Sequence, residues 1–120
     1  MSGENEQQVS VLHDPLVDRA FDDWGKVPDA IEGESRTFGK LLHRNADGSS
    51  ETGIWNCTPG TWHCNVTSDE FCHFLAGHCT YTSTQGEITE VAPGTLAFFP
   101  KGWRGICKVS DTIRKVYMIR

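Results

Sequence analysis

No Cys-x-x-Cys pair occurs among the five cysteines, at positions 57, 64, 72, 79 and 107, so neither a structural zinc knuckle nor a dithiol redox motif is encoded. Their odd number and scattered spacing argue against a disulfide framework and for buried thiols acting as small hydrophobes in a reducing compartment. No run of lysines and arginines is present, and the formal charge is −5. That balance excludes a protein held on nucleic acid by electrostatics. No apolar stretch approaches the length of a membrane span. The start, Met1 to Ser10, is polar and acidic and lacks the charged-then-apolar order of a secretion signal. The expected location is the cytoplasm, with neither nucleic acid nor membrane as partner.

What the chain does have is punctuation. Twelve Gly and five Pro separate short apolar runs, and six Phe, four Trp and two Tyr supply bulk for an interior. At 120 residues there is room for one core and not two. Residues 1–34 read as an N-terminal extension, disordered over the first ten, with at most a short turn over residues 15–24, since Pro15 breaks the loosely helical spacing, and a loop over 27–35. From residue 35 to 120 the pattern is strands: 37–44, 54–58, 62–67, 70–76, 78–82, 88–91, 95–99, 105–109 and 113–119. Short strands at such regular intervals predict an all-β sandwich or barrel.

Strand alternation groups the polar candidates. His63, Asn65 and Thr67 share one face of their strand and Trp62, Cys64 and Val66 the other. Glu70, Cys72 and Phe74 share a face, as do Lys115 and Tyr117. An interior that gathers His63, Asn65 and Glu70 would be a polar cluster in an aromatic cup, the usual form of a small-molecule or metal site. An apolar cup raises the pKa of Glu70, and a protonated His63 beside it opposes that. If the Lys115 face is interior, the lysine needs a counter-charge, and Glu70 is the natural one. Trp55, Trp62 and Trp103 read as core and interface residues, and His73 faces away from Glu70.

Two segments carry a resemblance. Gly60-Thr61-Trp62-His63-Cys64-Asn65, running on through Glu70 to Gly77, resembles the first cupin motif, with His63 in the place of the first metal-binding His, Asn65 in that of the second, and Glu70 as the carboxylate. Gly94, Pro100 and Gly102 match the second motif, whose His is replaced by Gly105. Gly53-Ile54-Trp55, Thr58-Pro59-Gly60, Leu75-Ala76-Gly77, Phe99-Pro100-Lys101-Gly102-Trp103 and Arg114-Lys115-Val116-Tyr117 are similar to the one-domain cupins related to ureidoglycine aminohydrolase and the ethanolamine-utilisation proteins. The resemblance implies a cupin double-stranded β-helix, a jelly-roll barrel, and a homodimer that protects its sheet edges. It also implies one divalent ion (Mn, Fe, Ni or Zn) on His63 and Glu70, with Cys107 as a substitute donor and fewer strong ligands than the usual three or four.

Two readings stay open. In the first, the chain is a cupin hydrolase or isomerase acting on a small polar nitrogen-containing or carboxylate compound. Glu70 is then the acid or base and His63 a ligand or proton shuttle, while Asn65, Cys72, Trp103, Cys107, Lys115 and Tyr117 contact the substrate. In the second, it is a non-catalytic, ligand-binding or accessory cupin with a degenerate metal site.

Overall fold

The apolar and polar alternation of the sequence becomes nine strands, with no helix, over the described residues, 8–120 of a computed structural model. They are β1 (Asp22–Lys26), β2 (Ala30–Glu32), β3 (Arg36–Arg44), β4 (Glu51–Cys57), β5 (Gly60–Asn65), β6 (Glu70–Ser83), β7 (Ile88–Val91), β8 (Leu96–Phe99) and β9 (Arg104–Ile119). Every pairing is antiparallel. The curled sheet closes into the jelly-roll barrel that the motif resemblance implies.

Two long strands make the barrel. The second half of β9 lies between β4 and the first half of β6, with Trp55 opposite Lys115 and Phe74 opposite Lys115. The first half of β9 lies between β5 and the second half of β6, with Trp62 and Tyr81 both opposite Cys107. The sequence pattern predicts each of these strands as two, but neither leaves the ladder where it bends. The ladder slips register around Ala76 and His78, and Gly77 makes this possible. Its φ is +88°, and a β-carbon there would lie 2.2 Å from the Thr112 carbonyl oxygen. Outside the bend, His78 Nδ1 and Asp111 Oδ2 sit 2.8 Å apart, so His78 has no part in the interior.

The extension holds more strand than expected. The short turn expected over residues 15–24 is present at Pro15–Leu16, but it leads into β1, which was not expected and pairs with β3. The loop expected over 27–35 contains β2, where Ala30 lies opposite Trp62. The open edges of β3 and β5 needed backbone partners, and that demand outweighed the loop chemistry of Pro28 and Gly33. The expectation of disorder falls mostly on residues 1–7, outside the described residues; residues 8–10 are exposed and in no regular element.

Between the two sheet layers lie Trp62, Val66, Phe74, Tyr81, Val91, Phe99, Val109 and Ile113. Tyr81, Phe99 and Trp103 meet edge-on or tilted at 4.8–5.9 Å between centroids. All five cysteines are free, and four of them are buried.

Arg114 fastens the extension to the outside of the barrel. Its guanidinium donates to Asn56 Oδ1 at 2.9 Å, to the Leu16 carbonyl at 2.8 Å and to Asp18 Oδ1 at 2.8 Å, and lies 4.9 Å from the Phe21 ring centroid. Asn56 is itself fully buried and donates to the Phe38 carbonyl. Charge-assisted bonds of this kind contribute about 1.5–3 kcal/mol. Arg114→Ala is therefore expected to cost about 2–3 kcal/mol and to speed amide exchange over residues 15–21 before the barrel opens. Unchanged exchange there would show that the segment is held by other contacts.

Candidate functional site

The floor of the barrel cup is an ion pair between two inward residues of neighbouring strands. Lys115 Nζ donates to Glu70 Oε2 at 2.6 Å, and the side chains are 8% and 20% exposed. Cys72 Sγ, two residues along β6 on the same face, donates to the same oxygen at 3.1 Å. The ammonium also lies 4.4 Å from the Trp55 ring centroid and 5.7 Å from that of Phe74, within cation–π range. The walls are Trp24, Trp55, Trp62, Tyr81 and Phe99, and the cup, open to solvent at its mouth, has a volume of about 570 Å³. Trp55 and Trp62 face each other at 6.4 Å and 59°.

Burial disfavours both charges, yet each partner holds the other ionised. For Glu70, burial pushes the pKa up, but the Lys115 charge, its hydrogen bond and that from Cys72 more than offset this and leave it below the ordinary value of 4.5. For Lys115, burial pushes the pKa down and the Glu70 carboxylate drives it above the usual lysine range. The raised carboxyl pKa expected from an apolar cup is thus corrected: the nearest charge is a lysine, and its field outweighs desolvation.

At the rim, Tyr117 donates its hydroxyl to Glu51 Oε2 at 2.5 Å, and Arg44 holds Glu51 Oε1 at 2.8 and 3.0 Å. The Tyr117 bond lowers the Glu51 pKa, burial raises it, and Arg44 lowers it further. Burial, and then Glu51 itself, raise Tyr117 well above the usual phenol range, so the hydroxyl stays a donor.

The sequence-predicted residues divide. Glu70, Lys115 and Tyr117 line the cup together. Cys72 and Cys107 are buried behind its lining, and Trp103 packs on Phe99 and Tyr81 rather than facing it. The split of β5 into two faces is as expected, but the faces are exchanged: Trp62 and Val66 are buried and Cys64 half-buried, while His63 and Asn65 are exposed. These two sit at the rim, bordering a second groove with Arg104, Thr84 and Asp29. Burial of Trp62 and Val66 decides the orientation, since turning His63 and Asn65 inward would expose both. Glu51, Trp24 and Cys64 were not anticipated. For Glu51 a signal was present: it alternates with Gly53 and Trp55 along β4.

A divalent ion does not fit. The two inward positions one residue apart before Glu70, where paired metal-binding histidines would stand, are Cys64 and Val66. Burial pushes the Cys64 thiol up to about 12, away from the thiolate a metal needs. At Gly105 a β-carbon would lie 2.2 Å from the Thr82 carbonyl oxygen and 2.6 Å from the Trp103 ring, so no side chain enters there. Among the described residues, no three of His, Cys, Asp and Glu converge on one point. The expected ligand role of His63 fails for the same reason of orientation, and Glu70 is engaged by Lys115.

The EutQ-like cupin domain model matches residues 44–117, more than half of the sequence. The chain belongs to this cupin family. The Clostridium difficile EutQ protein is similar in structure, with a TM-score of 0.61 and 22% identity over 71% of this chain and 68% of that one. A DUF861 family protein from Thermotoga maritima is 31% identical over 53% of this chain and 73% of its own, with a TM-score of 0.52. Ectoine synthase from P. lautus gives a TM-score of 0.63 at 16% identity, over 77% of this cupin and 68% of the synthase. The EutQ and ectoine synthase likenesses, at their identities, concern the fold alone. No curated protein sequence matches the chain.

Removing one partner of a buried pair strands the other's charge, at a cost of about 3–5 kcal/mol. Lys115→Met is expected to destabilise this cupin by that amount, and Lys115→Met with Glu70→Met by distinctly less than the two single changes added, in a denaturant double-mutant cycle. The pH dependence follows from the lowered Glu70 pKa. Its contribution is complete above 4.5, the ordinary value, and is lost as pH falls through the lower folded value. Glu70→Gln should therefore flatten the acid limb of the stability profile; an unchanged limb would place the acid-sensitive group elsewhere.

Proposed function

We propose that this cupin is a metal-independent binder of a small planar compound carrying an amide or ureide group, held in the cup over Lys115 and Glu70. The observation that carries this reading is the buried 2.6 Å ion pair on the floor of a tryptophan-walled cavity. Glu70 Oε2 is taken by Lys115 and Cys72, which leaves Oε1 as an acceptor. The ammonium has three N–H groups and uses one on Glu70. A ligand group with an N–H beside a C=O meets both at once, and its flat faces suit the indoles of Trp55 and Trp62. A free carboxylate would bring its charge against Glu70, Glu51 and Asp29, which also border the cup. Neutral nitrogen compounds are favoured on that ground, and the resemblance to the ureidoglycine aminohydrolase group supports the same class.

In this reading Lys115 does the electrostatic work that a divalent ion does in other cupins: it is the fixed cation that keeps Glu70 ionised. Should the ligand be transformed, Glu70 enters as a base, because a carboxyl held below 4.5 carries no proton to give at neutral pH. Five free thiols suit a reducing compartment, and we place the protein in the cytoplasm.

Tryptophan fluorescence and calorimetry against primary amides, N-carbamoyl amines, simple amines and simple carboxylates test this. Saturable quenching by the amides or carbamoyl compounds is expected, weakened about tenfold or more by Lys115→Met and Glu70→Gln in variants that keep the wild-type circular dichroism. Protein purified without an affinity tag should carry no stoichiometric Mn, Fe, Ni or Zn. Binding by carboxylates alone, indifference to both substitutions, or a full equivalent of metal would each overturn the proposal.

A further inference from the structure

The mouth of the cup opens along the edge of β5, where Pro28, Asp29, Asn65, Thr67 and Ser68 border it. Beyond that edge the second groove, of about 610 Å³, continues to Arg104, Thr82 and Thr84. The two spaces share Asp29, His63, Cys64 and Asn65 as a common rim. A cup of about 570 Å³ falls in the range of roughly 300–1,000 Å³ that holds drug-sized ligands, and a lone amide group fills only a small part of it. There is room for a second part of the occupant, and the rim indicates its chemistry.

At that rim the strand edge is bare. One side of β5 pairs with β9 along its whole length, with Asn65 opposite Arg104. The other side is covered by β2 only as far as Trp62, which lies opposite Ala30. The last bond on that side runs from His63 N–H to the Asp29 carbonyl at 3.1 Å. Asp29 has a φ of +55°, in the left-handed region, and the residues before it have left the ladder: Val27 N–H donates to the Ser35 carbonyl instead. Successive residues of an antiparallel strand point their backbone groups to opposite sides. Asn65, like His63, therefore turns its N–H and C=O toward the vacated side. Among the described residues no group bonds to the Asn65 N–H, the Asn65 carbonyl or the His63 carbonyl.

We propose, building on the cup as an amide site, that this edge receives an extended peptide and that the amide entering the cup is a glutamine side chain of that peptide. A peptide residue placed antiparallel opposite Asn65 donates its N–H to the Asn65 carbonyl and accepts from the Asn65 N–H. Its own side chain stands on the outer face beside that of Asn65, over the groove toward Arg104. The preceding peptide residue lies opposite Val66, which is buried and borders the cup, so its side chain points inward. Glutamine suits that place because its longer stem carries the carboxamide toward the floor. Asp29 already holds the position opposite His63, so the peptide leaves the edge one residue after the paired one. A peptide is favoured over a free amide on two grounds. One main-chain residue carries the N–H and C=O that Asn65 lacks, and an internal residue brings no terminal carboxylate against Asp29 and Glu51.

Calorimetry with butyramide and with N-acetyl-glutaminyl-alanine methylamide reads the two parts separately. The peptide should bind about tenfold more tightly or better. Replacing its alanine by lactate turns the N–H that meets the Asn65 carbonyl into an ester oxygen. Asn65→Pro removes the other donor, at the end of a strand and on its unpaired side, where proline is tolerated. Each change should cut the peptide's advantage over butyramide about fivefold, the worth of one hydrogen bond. A peptide no tighter than butyramide, or an advantage indifferent to the ester or to Asn65→Pro, overturns this proposal and leaves the amide reading of the cup standing. Failure of both compounds to bind overturns that reading and the peptide proposal with it.

Discussion

A lysine held inside a β-barrel must find a counter-charge, and this one finds Glu70. The whole cup is arranged around that requirement. The pair bridges β6 and β9, the two strands that form both layers, near one end of their shared ladder. It also sets the surroundings: Trp55 lies against the ammonium, Cys72 donates to the same carboxylate oxygen as Lys115, and Glu70 Oε1 has no protein partner among the described residues. Desolvation alone would have made both groups neutral. Their mutual field keeps both charged, and the cup is polar at its floor and aromatic on its walls as a result.

The same pair accounts for the altered metal motif. A carboxylate already neutralised at 2.6 Å has little left to offer a divalent ion, and the other positions supply no donor set beside it. One inward histidine position is a protonated thiol, the next is Val66, and at Gly105 neighbouring backbone and the Trp103 ring fill the space. The barrel does not depend on an ion at these positions, because its packing rests on Phe74, Tyr81, Phe99 and Ile113.

Much of this was legible before any coordinates. Strand spacing limited the fold to an all-β sandwich or barrel, and the resemblance of the Gly60–Gly77 and Gly94–Gly105 segments to the cupin motifs singled out the jelly-roll barrel. Alternation put Lys115 beside Tyr117 and Glu70 beside Cys72, and the cost of a buried lysine pointed to Glu70. Alternation also split β5 correctly, but it cannot say which face is inside. There the weight of two bulky apolar residues, Trp62 and Val66, was the better guide than the resemblance of His63 to a metal ligand. Alternation with Trp55 along β4 marked Glu51 as facing the same way, but which residues it and Trp24 would meet was out of reach. Their partners at the cup depend on register between strands far apart in sequence, such as Glu51 against Ile119, and local alternation gives the face but not that register. The continuity of β6 and β9 through their bends was hidden likewise, since Gly77 reads as a terminator until its partner strand is known to slip with it.

The most direct measurement is a carboxyl-detected NMR titration of Glu70 in the wild type and in Lys115→Met. The expected result is a wild-type pKa below 4.5, the ordinary value, that rises above it once the ammonium is gone and burial acts alone. A wild-type value at or above 4.5, or one indifferent to Lys115, would contradict the ion pair as the organising element of the cup.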